Sequence, residues 1–183
     1  MRLIGLVLTL NITLVSFTAD AQQGKPYRVG VLVQGSPPPP GTPALFVAAM
    51  RDLGYVDGQN VVLDRRWAGG QSERFPALAG ELVAVKPDVI VADSTPAAIA
   101  VARATSTIPI VMVNVSDPVG SGLVESLARP GRNVTGSTDF GTELAVKAVD
   151  LLHTAVPRAT RFAVLMSDNP VHPTQLREIQ DAV

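Results

Sequence analysis

The 183-residue chain has no cysteine, two histidines and 4% aromatic residues, and each scarcity removes a class of function. Without cysteine there is no disulfide framework, no thiolate nucleophile and no residue to carry a lipoprotein anchor. His153 and His172 stand apart, with no carboxylate or second histidine at metal-ligand spacing, so both read as surface histidines and no metal or cofactor is implied. Charge of one sign never accumulates: 15 Lys and Arg face 16 Asp and Glu, net charge −1, with no basic cluster. That argues against a nucleic-acid partner, which wants a concentrated basic face. Catalytic signatures are missing too: there is no Gly-x-Ser-x-Gly elbow and no Walker loop. The first apolar run ends in Gln34-Gly35-Ser36 and four prolines, unlike the glycine fingerprint of a dinucleotide fold. No catalytic residue is therefore assigned.

Long hydrophobic runs are also scarce. Leu3 to Phe17 is apolar but interrupted, and shorter than the roughly 20 residues of a membrane-spanning helix. With Arg2 before it and Ala19-Asp20-Ala21 after it, the segment reads as a cleaved secretory signal over residues 1–21. The expectation is a periplasmic or secreted protein that does not itself span a membrane.

What is present centres on Pro87 to Gly122. Two β-branched runs, Val89 to Ala92 and Ile108 to Val113, each end in a polar cluster followed by proline, at Thr95-Pro96 and Asp117-Pro118. Continuous apolar runs suit parallel strands covered on both faces. Thr95 and Asp117 read as N-caps with proline at the first helical position. Around this centre strands and helices alternate. Tyr27 to Val33 reads as a strand, a helix starts at Thr42-Pro43, and Val61 to Trp67 alternates as a strand near a sheet edge. Ser72 caps a helix with Phe75, Leu78, Ala79, Leu82 and Val83 on one stripe, and Thr95 to Thr105 is an alanine-rich helix.

Further on, Pro118 to Leu127 is expected as a short irregular helix and Val134 to Ser137 as a short extended segment. A helix follows from Thr142 to Ala155, with Leu144, Ala148, Leu151, Leu152 and Ala155 as its buried stripe and a Glu143–Lys147 pair. Arg161 to Met166 reads as a buried strand, and a last helix starts at Pro173. The alternation predicts a doubly wound parallel α/β sheet. It divides into a first lobe over residues 22–136 and the start of a second, incomplete one over residues 137–183.

Several stretches resemble one family. They are Leu53 to Asn60, Arg66-Trp67-Ala68, Thr95 to Ala98, Thr105 to Val111, Ser116 to Gly120, and Arg129 to Gly136. Their combination in this order is similar to the bacterial ABC-transporter substrate-binding proteins of the tryptophan/tyrosine-binding type, with a type I periplasmic-binding-protein fold. The resemblance implies two lobes that close on a small solute and present it to membrane permease subunits. It also implies an aromatic amino acid as ligand, although low aromatic content offers few stacking partners. Other amino acids, purines and small carboxylates stay open.

The residues themselves suggest where a solute sits. Free N–H groups at the helix start after Thr95 would attract a carboxylate, helped by the hydroxyls of Ser94 and Thr95. Asp117 and Asp139 would pair with an ammonium group, with Ser116 beside them. Capping alone explains Thr95 and Asp117 equally well. Gln34 and Ser36 follow the first strand, and Ser167 and Asn169 hold the matching position on the second lobe. Asp93 reads as a loop residue and Trp67 as sheet-edge packing. An extracytoplasmic sensing domain is the alternative reading, and an exported α/β enzyme a more distant one.

Overall fold

Val29, Val31 and Leu32 are buried in a strand, β1 (Tyr27–Val33), that has a partner on each side. The computed structural model describes residues 25–40 and 44–182, so the signal segment and the helix start expected at Thr42-Pro43 lie outside the described residues. β1 pairs in parallel with β2 (Val61–Trp67), from Tyr27 opposite Val61 to Val33 opposite Trp67, and with β3 (Val89–Asp93). β4 (Ile110–Val115) and β5 (Val134–Thr138) continue the sheet in the order β2-β1-β3-β4-β5, all parallel. β2 and β5 are the edges. β2 carries Asp64, Arg65 and Arg66, and charge on an edge strand discourages pairing with another chain.

The helices wind on both faces. α1 (Leu45–Asp52) lays Met50 against Val29, Val31 and Val61 on one face. α2 (Phe75–Ala84) and α3 (Thr95–Ala104) cover the other, where Phe75, Leu82, Val101, Ile90 and Ile110 are sealed from solvent. Each such side chain contributes about 1.5–3 kcal/mol by leaving water. The chain leaves β1 towards β2 and then crosses back to β3 on the far side, and with right-handed crossovers such a reversal puts helices on both faces. The winding direction therefore reverses between β1 and β3. That is the switch point at which open α/β sheets leave a crevice beyond their strand ends. The fold is the doubly wound parallel α/β sheet that the strand-helix alternation predicts.

Gly136 shows how tightly β5 is fitted. Its φ is 140°, and a Cβ there would overlap the Met112 carbonyl of β4. Only glycine meets both conditions. β5 runs to Thr138, past the expected lobe boundary at residue 136.

Some local expectations are corrected. Ser94, not Thr95, caps α3: its Oγ accepts the Ala97 N–H at 3.4 Å. Ser72 opens a single 3-10 turn, Ser72–Arg74, ahead of α2 rather than capping it. Asp117 caps no helix, because residues 118–127 form turns. Gly120 and Gly122, the latter at φ 70°, make a helix costly there, while Leu123 and Val124 drop into the core instead. Lys147 pairs with Asp150, not Glu143.

Beyond β5, α4 (Gly141–Ala155) packs on α5 (His172–Ala182), with Gln175 Nε2 donating to Thr142 Oγ1 at 3.3 Å. The expected buried stripe of α4 is exposed: Leu144, Leu151 and Leu152 lie open to solvent. Arg161 to Met166 forms no strand, and Leu165 is fully exposed. A strand needs neighbours to satisfy its backbone, and no described strand lies beside this one.

Candidate functional site

The parallel strands bring residues scattered along the sequence to one edge of the sheet. Val33 is opposite Asp93, Asp93 is opposite Val113, and Val115 is opposite Thr138. The loops that follow therefore carry Gln34, Ser94, Ser116 and Asp139 at a common, carboxyl edge. Three non-glycine residues there have positive φ: Ser94 at 112°, Asn114 at 54° and Phe140 at 53°. They fall at the ends of three adjacent strands, β3, β4 and β5. Such conformations cost of order 1–3 kcal/mol each and cluster at ligand clamps and active sites.

The centre of the edge is a small network. Thr95, 1% exposed, accepts the Ser116 N–H on its Oγ1 at 3.3 Å, and the Ser94 N–H donates to the Val113 carbonyl at 2.9 Å. Both bonds tie α3 to the end of β4. Thr138 Oγ1 donates to the Ser116 carbonyl at 3.5 Å, joining β5 to the same point. Asn114 Nδ2 donates to Asp93 Oδ1 at 2.7 Å across the ends of β4 and β3.

The start of α3 offers fewer free donors than the sequence suggests. Pro96 has no N–H, Ala97 donates to Ser94 Oγ and Ala98 donates to the Ser94 carbonyl. The Thr95 N–H is the first-turn donor left without a partner among the described residues. An anion here would meet one backbone N–H and the field of the helix, not a row of donors.

The remaining candidates fall in smaller groups. Asp117 turns back on its own loop, with Oδ1 accepting the Gly120 N–H at 2.7 Å, and Asp139 Oδ1 accepts the Gly141 N–H at 2.9 Å. Ser116 and Asp117 line a cavity of about 130 Å³ with Thr138 and Phe140. Gln34 and Gly35 use their carbonyls to hold Gly70 and Gly69, which ties the loop after β1 to the loop after β2. Ser36 is exposed on a cleft of about 480 Å³ that also shows Trp67, Arg65 and Arg74. Ser167 and Asn169 form a separate turn around His172 and Val171. That turn meets the first sheet's layers where Ser72 Oγ donates to Asp168 at 3.3 Å.

Sequence reasoning missed Asn114, Phe140 and Arg74. Asn114 had a readable signal, a polar residue inside an otherwise apolar strand. Phe140 and Arg74 had none, because their positions depend on which loops the sheet brings together.

A cavity of 130 Å³ is below the roughly 300–1,000 Å³ of ordinary small-molecule pockets. The carboxyl edge is one wall of a site, built from dipoles, hydroxyls and carboxylates. Among the described residues no three His, Asp or Glu side chains gather as a metal site would require. No described helix is long and apolar enough to cross a membrane.

A fold of this kind with a polar, partly strained carboxyl edge defines a class of ligand-binding lobes. Comparison with known proteins gives the family. The family described as ABC transporter substrate binding protein matches residues 45–179, and the chain belongs to it. A tyrosine-binding protein of Clostridioides difficile is 39% identical over 128 residues, covering 69% of this chain and 36% of that protein. A conserved domain protein of Vibrio cholerae superposes with a TM-score of 0.71 at 30% identity, covering 86% of this chain and 53% of the other. A Streptococcus pneumoniae ABC domain solved in complex with L-Trp gives 0.69 at 28%, with the same coverage. The chain thus spans about half the length of these solved chains and about a third of the tyrosine-binding protein.

Proposed function

We propose that this chain supplies one wall of an exported solute-binding protein that holds an amino acid of the tryptophan or tyrosine class between two lobes. The protein would then deliver that amino acid to the membrane subunits of a transporter. The observation that carries the reading is the convergence of Ser94, Thr95, Asn114 and Ser116 at the carboxyl edge, beside the switch point of the sheet. The names of the relatives supply the ligand class. The role is binding rather than catalysis, since the relatives are binding proteins.

In this reading residues 22–136 are the first lobe, residues 137–183 open the second, and residues 1–21 direct export to the periplasm or beyond. The small cavity and the uncovered face of α4, with Leu144, Leu151 and Leu152, support a second wall built by further chain. Ser94, Thr95 and the free Thr95 N–H would meet the solute carboxylate. Gln34, Ser36, Ser116, Asp117 and Asp139 would lie around it, with Ser167 and Asn169 facing them from the opposing lobe.

A thermal-shift and calorimetric screen tests this, using L-tryptophan, L-tyrosine, nucleobases and simple carboxylates. It is run on this chain and on a form lengthened to match its relatives. Binding of an aromatic amino acid by the longer form supports the reading, and binding by both places most of the site on the first lobe. A well-folded longer form that ignores every solute refutes it and favours a sensing or partner-binding domain.

A further inference from the structure

Asn114 breaks the pattern of the strand it belongs to. In β4, Ile110 and Met112 point into the core beneath α2 and α3. Strict alternation would put Asn114 next in that buried series and Val115 on the opposite face. Instead Val115 is fully buried in the same core and Asn114 is exposed. The cause is an irregularity in the β4–β5 register between Met112 and Val115, with Asn114 at φ 54°. An inserted residue of this kind re-aims a side chain, and bulges are over-represented beside active sites. Here it turns an amide away from the core and onto the carboxylate that ends β3.

The resulting pair has a definite chemistry. Asn114 Nδ2 is spent on Asp93 Oδ1 at 2.7 Å, which leaves Asp93 Oδ2 and Asn114 Oδ1 as two acceptors, one of them anionic. No other side-chain hydrogen bond of either residue occurs among the described residues, and Asp93 has no ion-pair partner there. Asp93 lies opposite Val33 of β1 and precedes Ser94, so its carboxylate flanks the switch point and the start of α3, with Asn114 beside it on β4. Asp117 and Asp139 differ, since each has an oxygen committed to a backbone N–H of its own loop.

We propose that the Asp93–Asn114 pair binds the ammonium group of the solute and thereby selects α-amino acids over their desamino analogues. The inference rests on the amino-acid reading above. It adds that one wall grips both ends of the zwitterion: the carboxylate at the start of α3, the ammonium on the β3–β4 pair. An ammonium brings three donors and a full charge, matching a carboxylate with a neighbouring amide oxygen. A carboxylic acid without the amine would leave those acceptors unmet.

The test titrates L-tryptophan and 3-indolepropionate against the unaltered protein, Asp93→Asn and Asn114→Gly, in whichever of the two forms above binds L-tryptophan. Glycine accepts positive φ, so Asn114→Gly keeps the backbone while removing the amide. Both variants should bind L-tryptophan at least tenfold more weakly, with affinity for 3-indolepropionate within threefold of the unaltered protein. The Tm of unliganded Asn114→Gly should stay level or rise. Unchanged L-tryptophan affinity in both variants overturns the inference and leaves the amino-acid reading standing. Equal weakening of both ligands also overturns it, since that marks a structural role. If the unaltered protein binds no amino acid in either form, the solute reading falls and the inference with it.

Discussion

Replacing Ser94 by glycine and by alanine separates two things this residue does at once. Its side chain caps α3 through a 3.4 Å bond from Ala97, and its backbone sits at φ 112°, ψ 158°, a region that only glycine occupies freely. Alanine keeps the strain and loses the cap, costing about 0.5–1 kcal/mol, the low end of capping values because the bond is long. Glycine relieves about 1–3 kcal/mol of strain. It returns a few tenths through the lost cap and about 0.4–1 kcal/mol through a more flexible unfolded chain. The glycine variant should therefore be more stable than the alanine variant by about 1–2 kcal/mol, or about 2–8 °C in Tm for a chain of this size. Thermal and urea unfolding of the three proteins measures it. An alanine variant as stable as the glycine variant would refute the strain argument. If Ser94 also meets the solute, the glycine variant should bind more weakly despite its stability, the usual exchange at a strained site.

Gly136→Val should destabilise by about 3 kcal/mol or more, since the left-handed backbone and the overlap with the Met112 carbonyl act together; a urea midpoint close to that of the unaltered protein would contradict the fit of β5. Thr95→Val keeps shape but leaves the half-buried Ser116 N–H without its acceptor, costing about 1 kcal/mol, the low end for a stranded donor, read as a lower urea midpoint. Leu151→Lys tests the lobe reading: Leu151 is 57% exposed, so in this chain Tm should move by no more than about 2 °C. In the lengthened form a covered Leu151 should make the same change cost several degrees. Equal small effects in both forms would mean that no further chain packs on α4.

The sequence alone determined the parts of this protein that rest on local chemistry. β1 and β2 run between the residues their composition marks, Tyr27–Val33 and Val61–Trp67, because β-branched runs bounded by glycine and polar turns have little else to form. The α2 stripe of Phe75, Leu78, Ala79 and Leu82 is buried as its spacing requires. Strand-helix alternation then leaves a parallel sheet as its economical packing, and the strand ends as the place for polar residues.

Tertiary structure decided what depends on a neighbour. Arg161 to Met166 and the apolar stripe of α4 have the composition of buried elements, but composition cannot say what covers them, and here nothing described does. Pairing of β5 with β4 turned Val134 to Thr138 from a short extended segment into the sheet's fifth strand. Pairing of β3 with β4 brought Asp93 and Asn114, 21 residues apart, within hydrogen-bond reach. A period-two pattern predicts which way a side chain faces only while the register is regular. At the bulge it is not, so the residue now at the centre of the proposed site was legible only as a polar interruption in an apolar run.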